Sequence, residues 1–152
     1  MQHPPKIIKP YVLSFCSAIS KEPPIYIPFK PLPDKPPMEC FTIVPEQIRL
    51  HGGKQHIGWA IWEWPRVFIE AEFHTVWENP EGEIIDIAPK TLECERILFL
   101  PDPKKQYKGI QVDNRRKALS RNKHIDRFLE LAHERFILFN EGDLAYQKEV
   151  KV

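Results

Sequence analysis

A chain of 152 residues can bury the core of one domain but is short for two, so we expect a single domain over 1–152. The formal net charge of +1 and the 42% of hydrophobic residues exclude a disordered chain and give no global attraction to nucleic acid or membranes. We expect neither a membrane-spanning segment nor a signal peptide, because the apolar runs are too short and the first residues are rich in proline and lysine. These features predict a cytoplasmic protein.

The first 37 residues are predicted to form a proline-rich arm. Ten of the 16 prolines lie there, and proline at this density removes the backbone donors that helices and central strands need. The apolar residues between the prolines predict that the arm packs across the domain surface, with a short edge strand near 11–15. A polyproline ligand for another protein is the alternative, which the apolar content of the arm disfavours.

A short helix is predicted to start close behind Cys40. Val44 and Ile48 give it an apolar stripe, and glycine at positions 52 and 53 is typical of a helix end. Pro45 is compatible with this helix only if it falls in the first turn, where its missing N–H is not needed.

Strand-forming residues dominate the middle of the chain. The run IGWAIWEW at 57–64 predicts one strand, and a turn at 64–66 leads into a second strand that carries His74. With a return arm at 83–88 and a further apolar run at 96–100, the pattern predicts an antiparallel meander of about four or five strands.

The turn Asn79-Pro80-Glu81-Gly82 sets the register of the central hairpin. Side chains alternate along a strand, so His74 lies on the face that also carries Glu72. If the turn is symmetric about Pro80, His74 stands opposite Asp86; if 80–82 is a three-residue loop with a bulge, Asp86 is its diagonal neighbour. Both registers predict His74 and Asp86 on one face.

The last third of the chain is basic and then helical. From 104 to 127 there are nine Lys or Arg against two Asp. Apolar residues then recur at helical spacing: Ile125, Phe128, Leu129, Ala132, Phe136 and Phe139. We expect a C-terminal amphipathic helix that covers the sheet and ends near 142, which gives a core over 38–142 and a loose tail over 143–152. The predicted fold class is α+β, with the sheet packed against this helix and the helix of Cys40.

Cys40, His74 and Asp86 make up a candidate catalytic triad. A thiolate is a nucleophile, and a helix N-terminus together with a nearby imidazolium favours it over the thiol. A histidine on a rigid strand can take and return a proton, and a carboxylate beside it fixes the ring and stabilises its charged form. Backbone N–H groups at the same helix start are candidate donors to an oxyanion.

The order of these elements resembles the core of the papain-like and transglutaminase-like cysteine enzymes. In those families a helix-borne Cys is followed by His and then Asp or Asn on adjoining strands, which here match Cys40, His74 in EFHTVW and Asp86 in EGEIIDIAP. The strings GWAIWEWP and EFHTVWENPEG…DIAPK are also similar to a group of bacterial proteins of undefined function. The resemblance implies a thiol-dependent amide hydrolase or acyl transferase that acts on a peptide or protein substrate and needs no cofactor.

Each of these residues also has a structural interpretation. A lone Cys near a helix start is often a small buried hydrophobe, and His74 with Asp86 is compatible with an ordinary cross-strand pair. On that interpretation the chain is a non-catalytic protein-interaction module. Trp59, Trp62 and Glu72 are candidates for substrate binding, although tryptophan in strands is also typical of the core.

Metal and nucleic-acid sites are less favoured. Cys16, Cys40 and Cys94 are widely spaced without a C-x-x-C pair, which predicts free thiols, and no H-x-H or H-x-x-x-H pair is present. We therefore expect no metal site. The basic stretch at 104–127 has Tyr107 alone for base stacking, so pairing with the acidic stretch at 63–95 or solvation is favoured over nucleic acid. The sequence does not indicate an oligomeric state.

Overall fold

The computed structural model describes the backbone of residues 1–150 and the side chains of residues 1–140, and this part of the chain contains three helices and six strands. The helices are α1 (Pro10–Ser17), α2 (Cys40–His51) and α3 (Lys123–Val150). The strands are β1 (Ile25–Pro28), β2 (Lys54–Trp64), β3 (Phe68–Glu78), β4 (Ile84–Ile85), β5 (Arg96–Pro101) and β6 (Arg115–Ala118). An antiparallel sheet with helices beside it confirms the α+β class.

The strands form one sheet in the order β1-β5-β2-β3-β4, and β6 pairs with the first residues of β3. The long hairpin of β2 and β3 is its centre, paired from Lys54 with Glu78 to Trp64 with Phe68. The strand order departs from that of a consecutive meander at β5, which lies beside β2 rather than beside β4. The predicted run at 96–100 is thus a strand, but its partner was not predictable from chain order.

The two edges of the sheet meet and give it a nearly closed barrel shape. β1 forms one edge and β4 the other. Phe29, just after β1, forms a parallel bridge with Asp86, just after β4. The Lys30 amide donates to the Asp86 carbonyl over 2.9 Å, and the Asp86 amide donates to the Pro28 carbonyl over 3.0 Å. The sheet therefore has an inner face and an outer face.

Strand alternation divides the core between these faces. The inner cluster contains Ile27, Ala60, Trp62, Val76, Ile97 and Phe99. The outer face carries Trp59, Ile61, Ile69, Ala71, Phe73, Leu98 and Leu100, which pack against Val12, Phe15 and Cys16 of α1. A short barrel is too narrow to hold a helix, so α1 and α2 cover it from outside.

The proline-rich arm packs on the outer face, but not as an edge strand. Residues 11–15 belong to α1, so the predicted strand is wrong. Pro10 lies in the first turn of this helix, where its fixed φ is compatible and no N–H is needed. Further along the arm, β1 adds an edge strand beside β5.

α2 begins at Cys40, as predicted, and ends before Gly52, whose φ of 77° and N–H bond to the Ile48 carbonyl (2.8 Å) close the helix. The expectation that Pro45 lies in the first turn is wrong, because it is the sixth residue of α2. A proline there removes the bond that its N–H would make to the carbonyl of Phe41.

The C-terminal part differs from the prediction in three ways. α3 continues to Val150 instead of ending near 142, so the tail expected to be loose is helical to that residue, and 151–152 lie outside the described residues. α3 lies beside β6 and contacts the sheet through Phe128, whose ring is 5.6 Å from that of Phe68. The sheet is therefore covered by α1 and α2, and not by α3 as predicted. β6 was not predicted. Within the described residues, no helix is long and apolar enough to cross a bilayer.

The acidic and basic stretches meet at β6. Arg116 pairs with Glu70 in the sheet register, and its Nε lies 3.3 Å from a Glu70 carboxylate oxygen. The same guanidinium lies 3.0 Å from Asp113, which also accepts a hydrogen bond from His133 of α3. This confirms pairing between the two stretches at Arg116.

Gly58 of β2 pairs with His74 and leaves no room for a side chain. A Cβ there would overlap the Leu100 carbonyl oxygen and lie 2.9 Å from the Phe99 ring. We predict that Gly58→Ala pushes β5 away from β2 and lowers the free energy of unfolding by about 1 to 3 kcal/mol, measured by urea denaturation. Gln55→Ala, at an exposed position of β2, should change it by less than about 0.5 kcal/mol. Equal effects would contradict the close approach at Gly58.

Candidate functional site

His74 and Asp86 lie together on the inner face of the barrel. Trp77 pairs with Ile85 and Glu78 with Ile84, so Asp86 follows in register opposite Val76 and is the diagonal neighbour of His74. This is the second of the two registers predicted from the turn, and Gly82 in the three-residue loop has the φ of 88° that it needs. His74 Nε2 lies 2.9 Å from Asp86 Oδ1, and the residues are 3% and 0% exposed.

Lys90 completes the cluster and was missed from the sequence. Its Nζ lies 2.9 Å from Asp86 Oδ2, and its side chain is 8% exposed. The ammonium also lies 5.5 Å from the centre of the Phe29 ring and 5.9 Å from that of the Trp62 ring, within the range of cation–π attraction. The signal in the sequence was a lysine four residues after Asp86. Outside a helix, this spacing does not imply that the two side chains are in contact.

Asp86 is the anion that both cations contact, one at each carboxylate oxygen. The charged ring of His74 donates its Nε2–H to Oδ1, while the Lys90 ammonium lies against Oδ2 as an ion pair whose angles depart from those of a hydrogen bond. The 3.4 Å approach between Lys90 Nζ and His74 Nε2 joins two donors and is therefore not a hydrogen bond. Two positive groups and one carboxylate leave one uncompensated positive charge in this buried cluster.

The Asp86 carboxylate stabilises the charged forms of both cations and is stabilised by them, while the two cations repel each other. Burial alone would lower the pKa of His74, but the Asp86 carboxylate outweighs it and raises the pKa to about 10, against the opposing effect of Lys90. Burial alone would raise the pKa of Asp86, but His74 and Lys90 hold it below its ordinary value. At neutral pH His74 is therefore an imidazolium and Asp86 a carboxylate.

Cys40 lies beside this cluster without being bonded to it. It is the first residue of α2, is 8% exposed and packs with Ile85, Ile87 and Ala88. Because Ile85 and Ile87 alternate with Asp86, the thiol is on the outer side of this segment while the carboxylate is on the inner side. Within the described chain Cys40 makes no hydrogen bond to His74, whose ring contacts Asp86 and Lys90. A Cys40 thiolate is still close enough to contribute to raising the pKa of His74.

The three residues predicted to bind substrate do not form one surface. Trp59 is 1% exposed on the outer face and donates its Nε1–H to Asp102 over 3.0 Å. Trp62 is 5% exposed on the inner face, so the two rings point to opposite sides of β2. Glu72 is partly exposed and shares the face of His74. Of the three, Glu72 alone is accessible to a ligand to any extent.

The other two thiols have different surroundings. All three cysteines are free, as predicted. Burial raises the pKa of Cys16 under α1 to about 11. Burial also raises the pKa of Cys94, which packs at the inner cluster and is near enough to Lys90 and Asp86 to feel their charges. Among the described side chains, no three His, Cys, Asp or Glu converge as a metal site.

We predict that Asp86→Asn strongly destabilises the fold, because it keeps the side-chain shape but leaves two buried cations without their anion. Breaking a buried pair in this way costs about 3 to 5 kcal/mol, measured by urea denaturation at neutral pH. Glu83→Gln in the same hairpin is the matched control, since its 3.5 Å ion pair with Lys30 is solvent-exposed and contributes at most about 1 kcal/mol. A similar cost for both substitutions would contradict the buried charge cluster.

We also predict a pH dependence of stability that arises at His74. Its pKa is higher in the folded protein than the unfolded value of about 6.5, so its stabilising contribution is complete below that pH and is lost as the pH rises through about 10. The free energy of unfolding of the native chain, minus that of His74→Gln, should therefore fall over this range. A difference that stays constant between pH 6 and pH 10, or rises, would contradict the raised pKa.

Comparison with known proteins assigns no role to this cluster. No protein-family model, no curated protein and no solved structure matches the chain. The function proposed below therefore rests on the residues of the site.

Proposed function

We propose that the protein is a thiol-dependent amide hydrolase or acyl transferase that acts on a peptide or side-chain amide. Cys40 is the nucleophile, His74 the proton-transfer group and Asp86 the carboxylate that orients it. One observation carries the proposal: Cys40 is the first residue of a helix and lies near an imidazolium that Asp86 keeps protonated. Both surroundings favour a thiolate.

Charge balance supports the same assignment. His74, Lys90 and Asp86 together carry one uncompensated positive charge in a buried place, which is unfavourable by itself. A thiolate at Cys40 would supply the missing negative charge. Lys90 would then help to favour the thiolate without touching the substrate.

The reaction would begin from an imidazolium–thiolate pair. The Cys40 thiolate attacks the amide carbonyl, a C–S bond forms, and the C–N bond breaks as His74 gives its proton to the leaving amine. The neutral imidazole then takes a proton from water or from an acceptor amine as that nucleophile attacks the thioester. This step releases the acyl product and restores both charges.

Donors for the oxyanion are available at the start of α2. No side chain caps this helix end, and the amides of Thr42 and Ile43 bond to the Glu39 carbonyl. The N–H groups of Cys40 and Phe41 are the remaining donors of the first turn. They would stabilise the negative oxygen that develops during attack by the neighbouring sulfur.

Substrate would have to approach Cys40 along the Phe41 side of α2. The Phe41 ring stacks on Tyr107 with centroids 4.1 Å apart, and Tyr107 is 41% exposed. A partly exposed aromatic pair next to the nucleophile suits an apolar or peptide group. Catalysis also requires the thiol to move toward His74 Nδ1, and such bonds are often formed only when substrate binds.

The alternative is a non-catalytic interaction protein, in which the charge cluster only stabilises the barrel. The burial of Cys40 and its place outside β4 favour this alternative. The similarity of the chain to papain-like and transglutaminase-like enzymes and to bacterial proteins of undefined function stays a prediction, as does a cytoplasmic location.

The two candidates differ in the reactivity of Cys40. In a Cys16→Ser/Cys94→Ser background, we predict that Cys40 reacts with iodoacetamide at neutral pH, as followed by mass spectrometry of the native protein. His74→Gln should slow this reaction, because the imidazolium that favours the thiolate is lost. Circular dichroism checks that the variant is folded.

A chain that retains only Cys16 is the matched control, since a buried thiol with a pKa of about 11 should stay unlabelled under native conditions. A Cys40 that does not react in the native protein, or that reacts at the same rate after loss of His74, would exclude the triad and leave the interaction protein.

A further inference from the structure

The loop between β5 and β6, residues 102–114, carries a group of lysines without a counterion. Residues 103–112 contain three Lys and no Asp or Glu. Lys104, Lys105 and Lys108 are exposed, and within residues 1–140 none of the three forms an ion pair. The loop therefore presents three positive charges to solvent.

Both ends of this loop are anchored to the sheet. At its start, the Asp102 amide donates to the Ile57 carbonyl over 3.0 Å, and the buried Asp102 carboxylate accepts the Trp59 Nε1–H over 3.0 Å. At its end, the side-chain amide of Asn114 donates to the Glu70 carboxylate over 3.2 Å. The lysines thus lie on a loop that is held in place at both ends.

A stack of three rings holds the middle of the loop over the candidate site. The Tyr107 ring lies 4.1 Å from that of Phe41, which in turn lies 5.0 Å from that of Phe73. Phe41 is the residue after Cys40, and Phe73 is the residue before His74. The stack therefore places Tyr107, and the lysines on either side of it, at the approach to the nucleophile.

We propose that the 102–114 loop makes the site specific for acidic peptides, with Lys104, Lys105 and Lys108 binding carboxylates that lie a few residues from the scissile amide. This specificity rests on the proposed function, to which it adds the class of substrate. The lysines supply the charge, and the partly exposed ring of Tyr107 supplies an apolar surface for the peptide between its carboxylates.

The charges around Cys40 favour an anionic substrate. Glu39 is the one acid among residues 38–45. Glu72 lies on the inner face of the barrel, whereas Phe73 and the ring stack lie on the outer face. Exposed charges act on a ligand over about 8 to 10 Å at ordinary ionic strength. On the outer side, the three lysines of the loop therefore outweigh the single charge of Glu39.

A single strand of nucleic acid is the rival ligand, and the loop suits it less well. Proteins that bind such strands combine a basic groove with aromatic faces on which successive bases stack. Tyr107 is the one aromatic residue of this loop, and Phe41 covers one of its faces. Chemistry at Cys40 also requires an amide bond in the bound molecule, which a peptide supplies at every residue.

Two alkylating reagents of different charge test the role of the lysines. Iodoacetate and iodoacetamide react at the same carbon, but only iodoacetate carries a carboxylate. In the background that retains Cys40 alone, Lys104→Gln/Lys105→Gln/Lys108→Gln should slow labelling by iodoacetate about threefold at low ionic strength, relative to labelling by iodoacetamide. Lys104→Arg/Lys105→Arg/Lys108→Arg should keep the ratio of the two rates, because the charge is retained.

Lys6→Gln/Lys9→Gln/Lys21→Gln is the matched control, because it removes the same charge from three exposed lysines of the proline-rich arm. It should leave the ratio of the two rates nearly unchanged. An equal fall of the ratio in both glutamine variants, or no fall in the loop variant, would overturn the role of the loop.

A competition experiment tests the class of substrate. A short polyglutamate peptide should protect Cys40 from iodoacetamide more strongly than a glycine–serine peptide of the same length. This protection should be lost in Lys104→Gln/Lys105→Gln/Lys108→Gln. Stronger protection by an oligothymidylate of equal charge would overturn the specificity for peptides and make nucleic acid the ligand of the loop.

The outcomes separate the role of the loop from the proposed function. If Cys40 is labelled in a manner that depends on His74, but the loop lysines do not affect labelling by iodoacetate, the specificity for acidic peptides is wrong and the proposed function stands. A Cys40 that reacts with neither reagent contradicts the proposed function and, with it, the specificity.

Discussion

The Asp86 carboxylate lies between two buried cations, and both the closure of the barrel and the burial of its charges involve this residue. A carboxylate with no exposed surface is stable only when it is paired, and His74 and Lys90 supply one partner for each oxygen. The backbone of the same residue closes the barrel, since its N–H and carbonyl bond to Pro28 and Lys30 of the opposite edge. The same residue therefore closes the sheet through its backbone and holds the buried charges through its side chain.

This coupling also limits the chemistry that the site can perform. His74 is held in its charged form, so it cannot begin a reaction as a base; it can stabilise a thiolate and then give up its proton. A catalytic Cys40 must therefore act as a preformed ion pair with the ring. If Cys40 stays a thiol, His74, Asp86 and Lys90 only stabilise the barrel and form no active site. Which of the two holds depends on whether the Cys40 thiol reaches the His74 ring.

The features predicted correctly from the sequence are those that local rules determine. Strand parity and the turn Asn79-Pro80-Glu81-Gly82 predict His74 and Asp86 on one face, and the glycine at position 52 predicts the end of α2. The features that were missed depend on contacts between distant segments. The position of β5 beside β2, the pairing of β6 with β3 and the bridge from Phe29 to Asp86 have no signal in their own residues.

Lys90 shows the same limit within the site. Its spacing from Asp86 is visible in the sequence, but only the inner face of the barrel turns that spacing into an ion pair. The alternation of side chains along the strands correctly predicts His74 and Asp86 on one face. It does not determine on which side of β4 the helix of Cys40 packs. The strand predicted at 11–15 is wrong for a different reason. Proline breaks a helix in its interior, but Pro10 lies in the first turn of α1, where it is compatible with the helix.

Nuclear magnetic resonance of the labelled imidazole would show whether the barrel encloses a protonated His74 held by Asp86. We expect both ring nitrogens of His74 to stay protonated through neutral pH and the ring to titrate at a pH of about 10, well above an ordinary histidine. A His74 ring that titrates like an ordinary histidine, or that is already neutral at pH 7, would show that Asp86 does not hold it in the charged form.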